Sequence, residues 1–127
     1  MKMLLLFSLV ALGGAIGSVA RYGLTLLSQS IGIQFPLGTL TANLFGCFAI
    51  GVFAGLAQQT TTISSEMRIF LTTGFCGGFT TFSSLNYEVL SFLKEDKILS
   101  AAVYVGVTGV GGFLAVYFGE KTILRLL

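Results

Sequence analysis

The chain has 127 residues, enough for one domain, and 54% of them are apolar against 9% charged, where soluble proteins carry about a quarter. That ratio excludes a water-soluble fold. Seven Lys and Arg against five Asp and Glu leave a formal charge of +2 without a basic run, which excludes nucleic acid as a partner; the lack of His and Trp, with only two Cys, removes most metal and acid–base chemistries.

Uncharged runs cover positions 3–20, 38–57, 69–87 and 98–119. Each approaches the roughly 20 residues a helix needs to cross about 30 Å of hydrocarbon. The spacing predicts an all-α membrane protein, a single domain over 1–127 with four transmembrane helices. The first run has the outline of a secretory signal, with Lys2 ahead of an apolar stretch ending in small residues. Its length, and the pair Gly13 and Gly17 at a spacing suited to close helix contact in lipid, favour a retained helix. Gly51 and Gly55 repeat that spacing in the second run. Short connections separate the runs: 28–37 with Gly32 and the only proline, Pro36; the Thr- and Ser-rich 58–65; and Lys94-Glu95-Asp96-Lys97. Cys47 and Cys76, both inside apolar stretches, read as small buried packing residues.

Four crossings place Lys2, Arg68, Lys121 and Arg125 on one membrane face and Arg21, Lys94 and Lys97 on the other. A bias of one cation orients a chain weakly. The expectation is dual insertion and an antiparallel homodimer; the alternative is a fixed topology in which the near-tie is an accident of a small chain.

The third run carries Gly74-Phe75-Cys76-Gly77-Gly78-Phe79-Thr80-Thr81-Phe82-Ser83-Ser84 at its middle. Three Gly, two Thr and two Ser in this stretch disfavour a regular helix, and the midpoint falls at Thr80 and Thr81. Irregular backbone at membrane depth is tolerated only inside protein or beside a wet cavity. A break there points free carbonyl oxygens at the centre, and carbonyls suit a hard monovalent cation. The competing reading is a glycine-kinked helix packed tightly on a neighbour.

Polar residues within the runs form two rows at helical spacing: Thr39 and Asn43 in the second, Tyr104 and Thr108 in the fourth, with Gly112 continuing the latter. They supply hydrogen-bond donors to an anion, or else serve as ordinary buried polar residues bonded to nearby carbonyls. Phe82 follows the break directly and can meet an anion with its positive ring edge; Phe79 is a weaker candidate. Arg21 either snorkels to the headgroups or attracts anions. Glu88, the one carboxyl deep in an apolar run, is expected to pair with a polar helix terminus or another subunit.

The string 74–84, with Gly38-Thr39-Leu40-Thr41-Ala42-Asn43 and Gly17-Ser18-Val19-Ala20-Arg21-Tyr22 before it, resembles the Fluc family of fluoride channels, also called CrcB-type fluoride exporters, over essentially the whole chain. The resemblance implies a dual-topology dimer with two fluoride pores, in the inner (plasma) membrane. It also implies a structural sodium ion between the subunits, held by backbone oxygens at positions matching Gly77 and Thr80. The family's pore asparagine matches Asn43, its aromatic at the break Phe82, its tyrosine on the ion path Tyr104, and its basic residue closing helix one Arg21. Two positions depart from the pattern, Leu85 where a second Phe is common and Gly112 where a hydroxyl is common. Slower fluoride passage, with a gain in Leu85→Phe, is the expectation from the first. A small proton-coupled multidrug exporter is the alternative function, disfavoured because the first run lacks an acidic residue. An enzyme has no support, since no Ser or Thr has a plausible base beside it.

Overall fold

The structure, a computed structural model, describes residues 1–59, 61 and 63–127. Of the polar run 58–65, Thr60 and Thr62 lie outside the described residues. All regular structure among the described residues is helical: α1 (Lys2–Ile31), α2 (Leu37–Gln59), α3 (Ser65–Ile69), a π segment (Phe70–Cys76), α4 (Gly77–Phe79), α5 (Phe82–Lys94) and α6 (Ile98–Leu126). Three of these, α1, α2 and α6, are long and apolar enough to cross a membrane.

Helix directions follow from which residues meet. Along α2 and α6, Leu44 lies by Gly111, Gly51 by Val116 and Gly55 by Ile123, so the two rise together and are parallel. The Gln58 side-chain amide donates to Glu120 Oε1 at 2.8 Å and joins their ends. Because α6 starts at the same end of the bundle as α2, the composite α3–π–α4–α5 must run back across the bundle, which makes it the third of four passages in chain order. It runs parallel to α1: Gly13 meets Phe70 and Gly74, and Gly17 meets Phe75 and Phe79.

The turns carry local signals that fix them. Gly32 ends α1 with a φ of 77°, and its amide donates to Gln29 O at 3.2 Å. Pro36 precedes α2, where a missing N–H costs nothing. Ser64 caps α3 by accepting the Met67 amide at 3.1 Å, and Thr81 caps α5 by accepting the Ser84 amide at 3.2 Å.

The glycine pairs do what their spacing predicts. A Cβ at Gly17 would lie 2.8 Å from the Phe79 amide nitrogen, and one at Gly13 would lie 2.8 Å from that of Phe75. On the other side, a Cβ at Gly51 would lie 2.9 Å from the Val116 carbonyl carbon. These helices touch backbone to backbone. Large apolar side chains such as Leu4, Phe7, Leu12, Val19 and Phe113 face outward instead, as suits a chain solvated by lipid. Cys76 is buried, Cys47 is half-buried, and both are free thiols.

One boundary differs from expectation. Arg21 does not close α1; the helix continues about 15 Å beyond it to Ile31 at 1.5 Å per residue. Nothing in local propensity stops a helix at an arginine, and the charge is engaged inside the bundle. The cations at that end are then Lys94 and Lys97, against Lys2, Arg68, Lys121 and Arg125 at the other.

Since Gly17 has no room for a methyl group, Gly17→Ala should lose about 1–3 kcal/mol through forced separation of the helices. Gly23→Ala, with open space around it, should leave stability unchanged or slightly higher. Thermal unfolding in detergent compares the two.

Candidate functional site: a broken helix and the polar cluster beside it

The break falls at the expected midpoint. Thr80 (φ −87°, ψ 154°) and Thr81 (φ −150°, ψ 124°) are extended between α4 and α5. Two extended residues at membrane depth leave backbone groups without helical partners, each costing several kcal/mol if exposed to hydrocarbon. Asn43 answers this directly. Its Oδ1 accepts the Thr81 amide at 2.7 Å, and its Nδ2 donates to the Thr81 carbonyl at 3.0 Å. The side-chain amide thus reproduces the pairing of a neighbouring strand. Gly46, one turn further along α2, lies under the Thr80 methyl group with no room for a side chain, so the break can sit against α2.

The same bonds redistribute the carbonyls. In a continuous helix the Thr81 amide would bond Gly77 O and the Ser84 amide would bond Thr80 O. Here the first goes to Asn43 and the second to Thr81 Oγ1. Gly78 O takes a different partner: Arg21 Nε donates to it at 3.1 Å and Ser18 Oγ at 3.4 Å. Arg21 therefore caps the end of the first half-helix, a placement at the break and not at the headgroups to which a snorkelling side chain reaches.

A second cluster lies toward the end of the bundle bearing Glu95 and Lys97. A cavity of about 550 Å³ is lined there by Ser28, Gln29 and Ser91, among others, and reaches Thr39 and Glu88. Glu95 and Lys97 at its edge form an ion pair at 2.7 Å. Glu88 is the meeting point of the two predicted donor rows. Thr39 Oγ1 donates to its Oε1 at 2.7 Å, and the Tyr104 hydroxyl donates to its Oε2. Tyr104 is fully buried, its ring held edge-on by Phe35 at 5.3 Å and Phe92 at 6.2 Å.

The structure brings together Thr39, Tyr104 and Glu88, and separately Asn43 with the break. Thr108 lies one turn beyond Tyr104, toward the bundle centre. Its Oγ1 is buried and has no hydrogen-bond partner among the described residues. Phe82 stands apart: it is 78% exposed at the start of α5, on the outside of the chain. Leu85, three residues on, faces inward and packs with Phe92, Ala101 and Tyr104. It therefore does not share an outer surface with Phe82, which bears on the expected gain in Leu85→Phe. Glu88 as a shared acceptor, and Thr81 and Gly78 as the backbone partners of Asn43 and Arg21, escaped the sequence reading. Its only signal was a carboxyl in an apolar run.

Among the described residues no group of three or more His, Cys, Asp or Glu is placed to hold a metal ion. A cation at this site depends on backbone oxygen. The diverted helical donors of Gly77 O and Thr80 O leave two carbonyls fit for a small, hard, monovalent ion.

Three helices long and apolar enough to cross a membrane, with polar side chains buried between them, define a multi-pass membrane protein. Residues 8–120 match the family described as CrcB-like protein, Camphor Resistance (CrcB), and the chain belongs to that family. A protein of Chlorobium phaeobacteroides (strain DSM 266) named fluoride-specific ion channel FluC is 48% identical over 119 residues, covering 94% of this chain and 92% of that one. Proteins with the same name from Chlorobium chlorochromatii (50% over 111 residues, 87% and 86% covered) and Rhizobium etli (42% over 120 residues, 94% and 95% covered) are similarly close. The chain is a multi-pass protein of the bacterial plasma membrane.

Asn43→Ala strips both partners from Thr81 and should cost about 2–6 kcal/mol, twice the penalty of one unsatisfied buried group. Thermal unfolding in detergent reads the loss. Leu85→Phe should destabilise by about 1–3 kcal/mol by overpacking around Tyr104. Unchanged stability with faster fluoride flux in that variant would show the position to be on the ion path after all.

Proposed function

We propose that the chain is a fluoride-selective channel, working as an antiparallel dimer of inverted copies that lets fluoride leave the cell passively. The observation that carries this reading is the set of buried donors running from the foot of the open cavity to the break, in a chain whose relatives are named fluoride-specific ion channels. Fluoride is small and strongly hydrated, so its path must replace water with hydrogen-bond donors without trapping the ion. Thr39 lines the foot of the cavity with Glu88, Tyr104 is buried behind that carboxyl, and Asn43 and Thr108 follow one helical turn deeper. Asn43 keeps one N–H beyond the bond to Thr81 O, and the Thr108 hydroxyl is uncommitted.

The Thr39 and Tyr104 hydroxyls point at Glu88, so an entering anion must win them from a carboxyl group. Rotation of two hydroxyls transfers them, and the carboxyl recovers them when the ion moves on. Such competition keeps the anion from binding too tightly to leave. Phe82 then offers its ring edge beyond Asn43. No reaction is catalysed along this path.

Two features favour the dimer. Phe82 stands uncovered beside the half-buried break in one chain, and two freed carbonyls are too few ligands for a cation. Inverted copies meeting at the break would double them to four. A sodium ion held by Gly77 O and Thr80 O with their twins would supply a fixed positive charge and a tie between the subunits. The small difference in Lys and Arg between the two ends is compatible with insertion both ways up.

In liposomes containing the purified protein, fluoride efflux should greatly exceed chloride efflux. Tyr104→Phe, which deletes one donor and keeps the ring, should slow fluoride about tenfold, the scale of one hydrogen bond to an ion. Equal chloride flux, or fluoride flux indifferent to Tyr104→Phe and Asn43→Ala, would overturn the reading.

A further inference from the structure

A helix break frees several carbonyls but does not choose which of them remain open. In this chain neighbouring side chains make that choice. The Cys76 carbonyl receives the Thr80 amide at 2.9 Å and its hydroxyl at 2.8 Å. Thr81 O is taken by Asn43 at 3.0 Å. Gly78 O is taken by Arg21 at 3.1 Å with Ser18 at 3.4 Å, both from α1. Gly77 O and Thr80 O differ, because their helical donors are engaged elsewhere.

We infer that Arg21 is a positioning residue of the cation site: by holding the Gly78 carbonyl toward α1, it keeps that oxygen out of the ligand set and tunes the break to a small ion. This rests on the sodium reading above. Three observations carry it. Arg21 lies within α1, about 15 Å short of its end. It forms no ion pair among the described residues, so its charge is committed to a carbonyl and not to a carboxyl. And the carbonyl it holds belongs to the residue directly after Gly77, with no side chain of its own to limit rotation. A Cβ at Gly78 would lie 2.9 Å from the Gly14 Cα, so α1 and the break touch at this point. A freed Gly78 carbonyl would turn to join its neighbours, and more oxygens in a looser ring favour a larger ion over sodium.

The charge of Arg21 acts alike on sodium and potassium, so the ratio of their effects isolates the ligand set. The test is thermal unfolding of the full-length protein in detergent, titrated with sodium or potassium at constant ionic strength made up with N-methylglucamine. Binding to the folded state alone raises the midpoint. The wild type should be stabilised at lower sodium than potassium concentrations. In Arg21→Gln the ratio of half-effect concentrations should fall about tenfold, the scale of one charge-assisted hydrogen bond. Arg21→Lys should fall between, since it keeps the charge without the rigid fork, and it carries the test if Arg21→Gln does not fold. Wild-type discrimination preserved in the variants overturns the role of Arg21 and leaves the sodium site standing. A wild type indifferent to the choice of ion overturns both.

Discussion

The pairing of the Asn43 side-chain amide with the Thr81 backbone is the interaction on which the rest depends. Hydrocarbon supplies no hydrogen bonds, so a chain can leave the helix at mid-depth only where something else bonds its amide and carbonyl. One asparagine does both. In taking the Thr81 amide it also takes the donor that would have closed the next turn on Gly77 O. Stabilising the break and opening a carbonyl are one event, which ties the folding of the third passage to its chemistry. Its position on α2, one turn from Thr39, ties the break to the polar cluster as well.

That arrangement requires the broken passage to lie close against two helices, and glycine makes this possible on both sides. Gly13 and Gly17 of α1 meet Gly74, Phe75 and Phe79, and Gly46 of α2 receives the Thr80 methyl group. With α1 parallel to the broken passage and α2 parallel to α6, Arg21 and Asn43 approach the break from different helices. Each bonds a backbone group the other cannot reach. The tighter the backbone contacts, the less freedom the freed carbonyls have, so the same small residues set both the packing and the room those oxygens have to move.

Much of this was legible in the residues. Two adjacent Thr after two Gly, in the middle of an apolar run, located the break, and the small-residue spacing located the close contacts. Asn43 was picked out as a donor in a row with Thr39, though its partner is Thr81, a residue from another passage that no local pattern reveals. Arg21 was misplaced as the end of α1 because a charge after an apolar run looks like a boundary; only the tertiary contact with Gly78 O explains why the helix carries it onward. Leu85 matched an aromatic position by alignment of motifs, yet which face of α5 it occupies depends on how that helix restarts after two extended residues. The break resets the helical phase, and a reset phase cannot be read from periodicity.

Glu88 raises the harder physical question, since a carboxyl group is an unlikely neighbour for an anion. Its two oxygens are occupied by Thr39 and Tyr104, whose hydroxyls are also the first deep donors an ion would meet from the cavity. Without Glu88, buried hydroxyls would lack partners and would either distort the packing around the fully buried Tyr104 or bind the first anion tightly. With it, each hydroxyl always has an acceptor, and the exchange between carboxyl and ion costs only the difference between two similar bonds. A site that conducts must avoid deep wells more than it must attract, and an internal competitor that shares the donors flattens the well. In a channel of the kind proposed, Glu88 would not be an obstacle tolerated on the path; it would let strong donors sit there without holding the ion.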